Sequence, residues 1–226
     1  MKQTVLLSIA ILLAACSSAG TVKEPFTVSL KSPKVNAGTI EAQFDKFLSL
    51  GGLKKQEITV DYYPGENAVC LQYRIEFYTY YQFWDRNSRA AFVTALEKYK
   101  EDYAQRNFGK NSRKTKQNYG IHESYLIWQM AEYTAQANNN TDVEVGYYFK
   151  EKVPYFTLTQ RETYTIDVDT RTKRECPEIM IYFTRAQADV LAAFFDQEYL
   201  RALAASNEGK LRPKTPADSI PEMDSY

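Results

Sequence analysis

The chain has 226 residues, of which 44% are hydrophobic and 25% charged, with 28 Lys plus Arg against 28 Asp plus Glu. That length and apolar content suffice for one sizeable core. The even charge balance gives no general attraction to nucleic acid, and none is expected as a partner.

The chain opens MKQTVLLSIAILLAACSSAG. Lys2 precedes an apolar run from Val5 to Leu13 that only Ser8 interrupts. A membrane-spanning helix needs about 20 apolar residues, so this run is too short to span. It has the layout of a secretory signal. At its end stand Leu13-Ala14-Ala15-Cys16: an aliphatic residue, two small residues and a thiol. This stretch resembles the lipobox of bacterial lipoproteins. The resemblance implies that residues 1–15 are a signal peptide removed by cleavage before Cys16. It also implies acyl chains on the Cys16 thiol and on the new amino terminus. Each buried CH₂ contributes about 0.8 kcal/mol, and one chain alone holds only marginally, so several chains make a stable anchor. Ser17, where an Asp would favour inner-membrane retention, implies the outer membrane, with the domain facing the periplasm or the surface.

Residues 16–25 are small and polar and read as a tether. A single α+β domain is expected over 26–205. Phe26 to Leu30 alternates weakly, as a first strand. Ile40, Phe44, Phe47 and Leu48 fall at helical spacing, which predicts a short helix over 40–50, ended by Gly51-Gly52. Glu57 to Tyr63 reads as a strand and Pro64 to Asn67 as a turn. Ala68 to Trp84 then alternates as one long strand. Its odd positions, from Val69 through Phe77 to Phe83, are almost wholly apolar and belong to a core. Its even positions end in Tyr78, Tyr80, Gln82 and Trp84, a mixed aromatic face.

Asp85 is a good N-cap for a helix carrying Phe92, Ala95, Leu96, Tyr99 and Tyr103 on one stripe. A basic loop begins at Lys110. Gly120 to Ala137 reads as a long strand, with a helix over 124–137 as the competing assignment. Asn138 to Asp142 is a turn, and strands follow at 143–149, 155–168 and 178–183. Arg171 to Arg174 reads as a basic turn. Thr184 and Gln187 form a capping box for a last helix running past Leu191, Phe194 and Leu203. Residues 206–226 are polar and proline-rich and read as a disordered tail. The stretches 83–92 and 182–191 share two aromatics, a capping residue and an arginine before a helix. The expected fold is therefore α+β: an antiparallel sheet of about six to eight strands with two main helices. A duplicated β-meander–α unit would account for the shared pattern.

No catalytic set, metal site or cofactor is singled out. The lone histidine, His122, lies in GIHESY, and nothing resembles a nucleophile elbow. Asp167 and Asp169 share a strand face but fall short of the six or more oxygens that calcium needs. Glu76 has aromatics after it, and Arg74, two residues away, is its expected ion-pair partner. Once Cys16 is acylated, Cys70 and Cys176 remain. An even pair in an oxidising envelope suits one disulfide, and two separate buried thiols are the other reading. If the even face of 78–84 is open, Tyr78, Tyr80, Gln82 and Trp84 make an amphipathic platform for a glycan, a peptide or a protein. If it is covered, the same rings are packing. The function expected is a lipid-anchored envelope protein with a non-enzymatic binding or assembly role, touching the membrane through its anchor and an envelope protein or glycan through this face. An envelope hydrolase working through Glu76 or His122 is the alternative.

Overall fold

The computed structural model describes residues 26–45, 52–108, 116–130, 136–150 and 152–208. The signal peptide, the lipobox with Cys16, the tether, most of the basic loop and the tail beyond residue 208 lie outside the described residues.

Eight antiparallel strands close into a barrel. In chain order they are β1 (Val35–Asp45), β2 (Leu53–Tyr63), β3 (Ala68–Ile75), β4 (Tyr78–Trp84), β5 (Lys116–Met130), β6 (Ala137–Lys150), β7 (Val153–Gln160) and, after an excursion, β10 (Ile179–Phe183). The excursion is a two-stranded arm, β8 (Thr163–Ile166) paired with β9 (Lys173–Cys176). Among the described residues three helices accompany the barrel: α1 (Arg86–Gln105), α2 (Arg185–Phe195) and α3 (Gln197–Ser206). The α+β expectation holds, and the sheet closes on itself through β1 and β10, where Gln43 faces Tyr182 and Phe44 faces Ile181. Closure removes the open strand edges that an eight-stranded sheet would otherwise expose.

The architecture repeats. Four meander strands, β1 to β4, lead into α1, and four more, β5, β6, β7 and β10, lead into α2. Asp85 and Thr184 cap the two helices, and Arg86 and Arg185 are the first residues of each. Asp85 accepts from the Ser88 N–H at 2.7 Å. Thr184 accepts from the Gln187 N–H, while the Gln187 side chain accepts from the Thr184 N–H, so the capping box forms in full.

The expected long strand over 68–84 is two strands. Glu76 and Phe77 are a two-residue hairpin loop between Ile75 and Tyr78, which pair. Paired residues share a sheet face, so the loop exchanges parity: the odd face of β3 continues as the even face of β4. Val69, Leu71 and Tyr73 therefore join Tyr80 and Trp84 in the barrel interior. Phe77, assigned to the core by simple alternation, sits at the loop tip and is 68% exposed.

Other local readings change for similar reasons. Of the helix expected over 40–50, residues 40–45 are strand, with Ile40, Ala42 and Phe44 facing inward with period two, and 46–50 lie outside the described residues. Phe26 to Leu30 forms no strand, and its Val28 packs on the outside of the barrel. Asn138 to Asp142 belongs to β6, where Asn138, Asn139 and Asn140 pair with Ile127, Leu126 and Tyr125. The weak strand preference of asparagine yields to the ladder that β5 offers. Lys173 and Arg174 lie in β9 and not in a turn. The last helix breaks at Asp196, which ends α2 and caps α3 by accepting from the Tyr199 N–H at 2.7 Å. Ser206 still belongs to α3.

The helices close one end of the barrel. Phe92 of α1 meets Trp84, Phe156 and Phe195 with ring centroids at 6.0, 5.3 and 4.9 Å. Each such ring, fully buried, contributes about 1.5–3 kcal/mol. Arg89, 2% exposed, ties this end together: its guanidinium donates to the carbonyls of Asp85, Asn67 and Phe195 and to the side chains of Asn67 and Gln197. Burial lowers its pKa, and this run of oxygen acceptors is what holds the cation there.

Candidate functional site at the open mouth

At the opposite end of the barrel the described residues carry no helix. The β3–β4 loop, the end of β1 and the start of β10 meet the β8–β9 arm there, and a cleft of about 680 Å³ lies between them. Pockets of roughly 300–1,000 Å³ suit small molecules. Phe44, Ile75, Tyr78, Tyr80, Cys176 and Ile179 supply its apolar lining. The Tyr80 ring stacks on Tyr73 at 5.5 Å with 18° between planes, and Tyr78 tilts against Tyr80 at 6.2 Å. Tyr73 in turn donates to Gln160 at 3.3 Å, and Gln160 donates to the Cys176 sulfur at 3.2 Å. The floor is thus held from behind by a buried polar chain that crosses the barrel.

The rim is acidic. Asp45, Glu76, Glu162, Glu175 and Glu178 line the cleft, against Lys173 alone among basic residues. Three of these carboxylates have cationic partners: Asp45 with Lys150 at 2.6 Å, Glu175 with Lys173 at 2.6 Å and Glu178 with Arg161 at 3.2 Å. Lys173 also lies 4.5 Å from the centre of the Tyr164 ring. Glu76 and Glu162 have no ion-pair partner among the described residues. The expected Arg74–Glu76 ion pair does not form, because Glu76 sits in the loop and Arg74 donates to its backbone carbonyl at 3.2 Å. Tyr80 is 4% exposed and lines the cleft, and its hydroxyl has no hydrogen-bond partner among the described residues. Burial first, then Cys176, Tyr78 and Glu76 nearby, raise its pKa, so the hydroxyl stays a donor.

The structure divides the four residues of the expected platform. Tyr78 and Tyr80 line the cleft. Gln82 and Trp84 share their sheet face but are fully buried, nearer the helices, with the Trp84 indole N–H donating to Gln82 at 3.4 Å. An open four-residue platform does not exist, because the face turns into the closed barrel. Cys70 and Cys176 are free thiols. Cys70 packs in an outer cluster with Val28, Tyr63 and Phe83, whereas Cys176 belongs to the inner core, so the expected disulfide gives way to two buried thiols. Burial pushes the Cys176 thiol up to about 12 and Cys70 well above its ordinary range, so neither is a ready nucleophile.

Glu76 and His122 lie at different ends. Glu76 is on the open rim, while His122 lies on β5 within electrostatic reach of Asp85, the α1 cap. They do not form one catalytic pair. Asp167 accepts the Thr170 and Asp169 N–H groups and the Arg174 guanidinium at the tip of the arm. Among the described residues no group of three or more His, Cys, Asp or Glu is placed to hold a metal ion. Phe44, Glu162 and Lys173 escaped sequence reasoning because only barrel closure and the arm bring them beside the β3–β4 loop. Cys176 was legible only as a thiol.

No curated protein matches this chain, and no solved structure does. A family model described as "Uncharacterised Treponema protein" matches residues 22–202, four-fifths of the chain and all ten strands, and the chain belongs to that family.

Proposed function

We propose that this is a lipid-anchored protein of the bacterial cell envelope, held at the outer membrane by its acylated Cys16, whose barrel mouth binds a ligand or partner without transforming it. The address rests on Leu13-Ala14-Ala15-Cys16 after a short apolar run, the layout of a lipobox. The family match begins at residue 22, beyond that motif, and covers the barrel the anchor would carry. The binding role rests on one observation above all: the Tyr78–Tyr80 cleft at the barrel end that the helices leave uncovered. Tyrosine rings give contact area at little entropic cost and keep a polar edge for orientation.

Two measurements test this reading. A clickable fatty acid fed to cells should label the wild-type chain and not Cys16→Ser; equal labelling, or none in either, would remove the anchor. A photo-cross-linking residue at Phe77, exposed beside the cleft, should capture an envelope component, whereas one at Val93 on α1 should not. Absence of an adduct at position 77, or equal adducts at both, would count against the mouth as the binding end.

A further inference from the structure

The rim's charge and the floor's chemistry together narrow what the cleft takes. This step rests on the reading of the mouth as a binding site. The carboxylates lining the cleft outnumber its bases five to one, and Glu76 and Glu162 form no direct ion pair among the described residues, Lys173 being within electrostatic reach of Glu162. Such a rim repels phosphates and carboxylates and attracts cations. Independently of the rim, Tyr80 is more than nine-tenths buried, lines the cleft and holds a hydroxyl with no partner among the described residues. The ring is buried while the hydroxyl is left free to donate to an atom in the cleft. The Tyr78 ring, half-buried at the mouth, offers the electron-rich kind of surface on which organic cations rest. The cleft already contains one such contact, Lys173 against Tyr164.

We propose that the cleft binds an organic ammonium ion carrying an apolar body. Glu76 and Glu162 supply the countercharge, Tyr78 and Phe44 seat the body, and the Tyr80 hydroxyl fixes its orientation. A volume of about 680 Å³ fits a small molecule rather than a folded partner.

The test uses three probes that share a phenyl body: 2-phenylethylamine, 2-phenylethanol and 3-phenylpropanoate. Each is titrated into the full-length acylated chain in detergent and followed by NMR at the tyrosines. The amine should bind at least about tenfold more tightly than the carboxylate, with the alcohol between them. In the double variant Glu76→Gln/Glu162→Gln the amine should fall to the affinity of the alcohol, which itself should not change. Both side chains are exposed, so the variant should fold, and an unchanged amide spectrum away from the cleft checks this. An amine that binds no more tightly than the alcohol would overturn the ammonium assignment while leaving the mouth as a binding site. Persistence of the amine preference in the double variant would overturn the role of the two carboxylates. If none of the three probes moves the Tyr78 or Tyr80 signals, the assignment also falls, and the cross-link at Phe77 then decides separately whether the mouth binds anything.

Discussion

The two ends of this barrel are built from the same residue type to opposite purposes. At the helix end, Trp84, Phe92, Phe156 and Phe195 lock edge to face, and the buried Arg89 stitches α1 to the β2–β3 turn and to the α2–α3 junction. At the open end, Tyr80 stacks on Tyr73 and Tyr78 tilts against it under an acidic rim, with the Tyr80 hydroxyl to spare. A ring at the first end has every surface matched by protein. A ring at the second end has one surface left for something else. The lesson is that aromatic content alone separates neither role; what separates them is which end of the strand the helices cover.

Substitutions can break or sharpen this contrast. The largest effect is expected from Trp84→Ala, which should cost about 3–5 kcal/mol in chemical denaturation because the cavity cannot collapse around the helices. Tyr78→Ala, half-buried at the mouth, should cost only about 1 kcal/mol while weakening binding of the probes. A reversed order would erase the difference between the ends. Next comes Arg89→Met, which leaves the carbonyls of Asn67 and Phe195 without their donor and should cost about 2 kcal/mol, some of the loss being offset by removal of a desolvated cation. Gly38→Ala tests how tightly the helix end is seated. Gly38 lies at a bulge in β1 with φ 141°, and a Cβ there would meet the Phe194 ring at 2.8 Å. A loss of roughly 1–3 kcal/mol in the same melts is expected from the combined strain and overpacking.

The smallest effect is a pH dependence at the helix end. Burial lowers the pKa of His122 from its ordinary 6.5. Below that value the unfolded chain binds the proton more readily than the folded one, so this group's contribution to stability is intact above 6.5 and declines as the pH falls toward its folded value. Replacing His122 by Gln should flatten that part of the stability profile. An unchanged profile would mean that the imidazole is equally solvated in both states.

Much of the helix end was legible in the sequence because its signals are local. Asp85, Thr184 and Gln187 announce both helices through capping chemistry that needs only neighbouring residues, and the stripe of Phe92, Leu96 and Tyr99 gives the buried face of α1. The mouth was legible only in part. Tyr78 and Tyr80 drew notice by their alternation, but the parity exchange at Glu76-Phe77 is invisible where no glycine marks the turn; Glu76 takes φ 53° without being one. Trp84 and Gln82 looked equivalent to Tyr80, and only the position of α1 distinguishes them. Glu162, Lys173 and Cys176 reach the site through an arm more than eighty residues away from the β3–β4 loop, and no local pattern carries that information.

The central claim is that helices seal one end of the barrel and that the Tyr78 end is open among the described residues. Hydroxyl-radical footprinting of the intact anchored chain, read by mass spectrometry, tests it most directly. Tyr78 and Tyr164 should be oxidised readily, while Trp84 and Tyr99 stay unmodified until the chain unfolds. Oxidation of Trp84 at the rate of Tyr78 in the native protein would contradict the account.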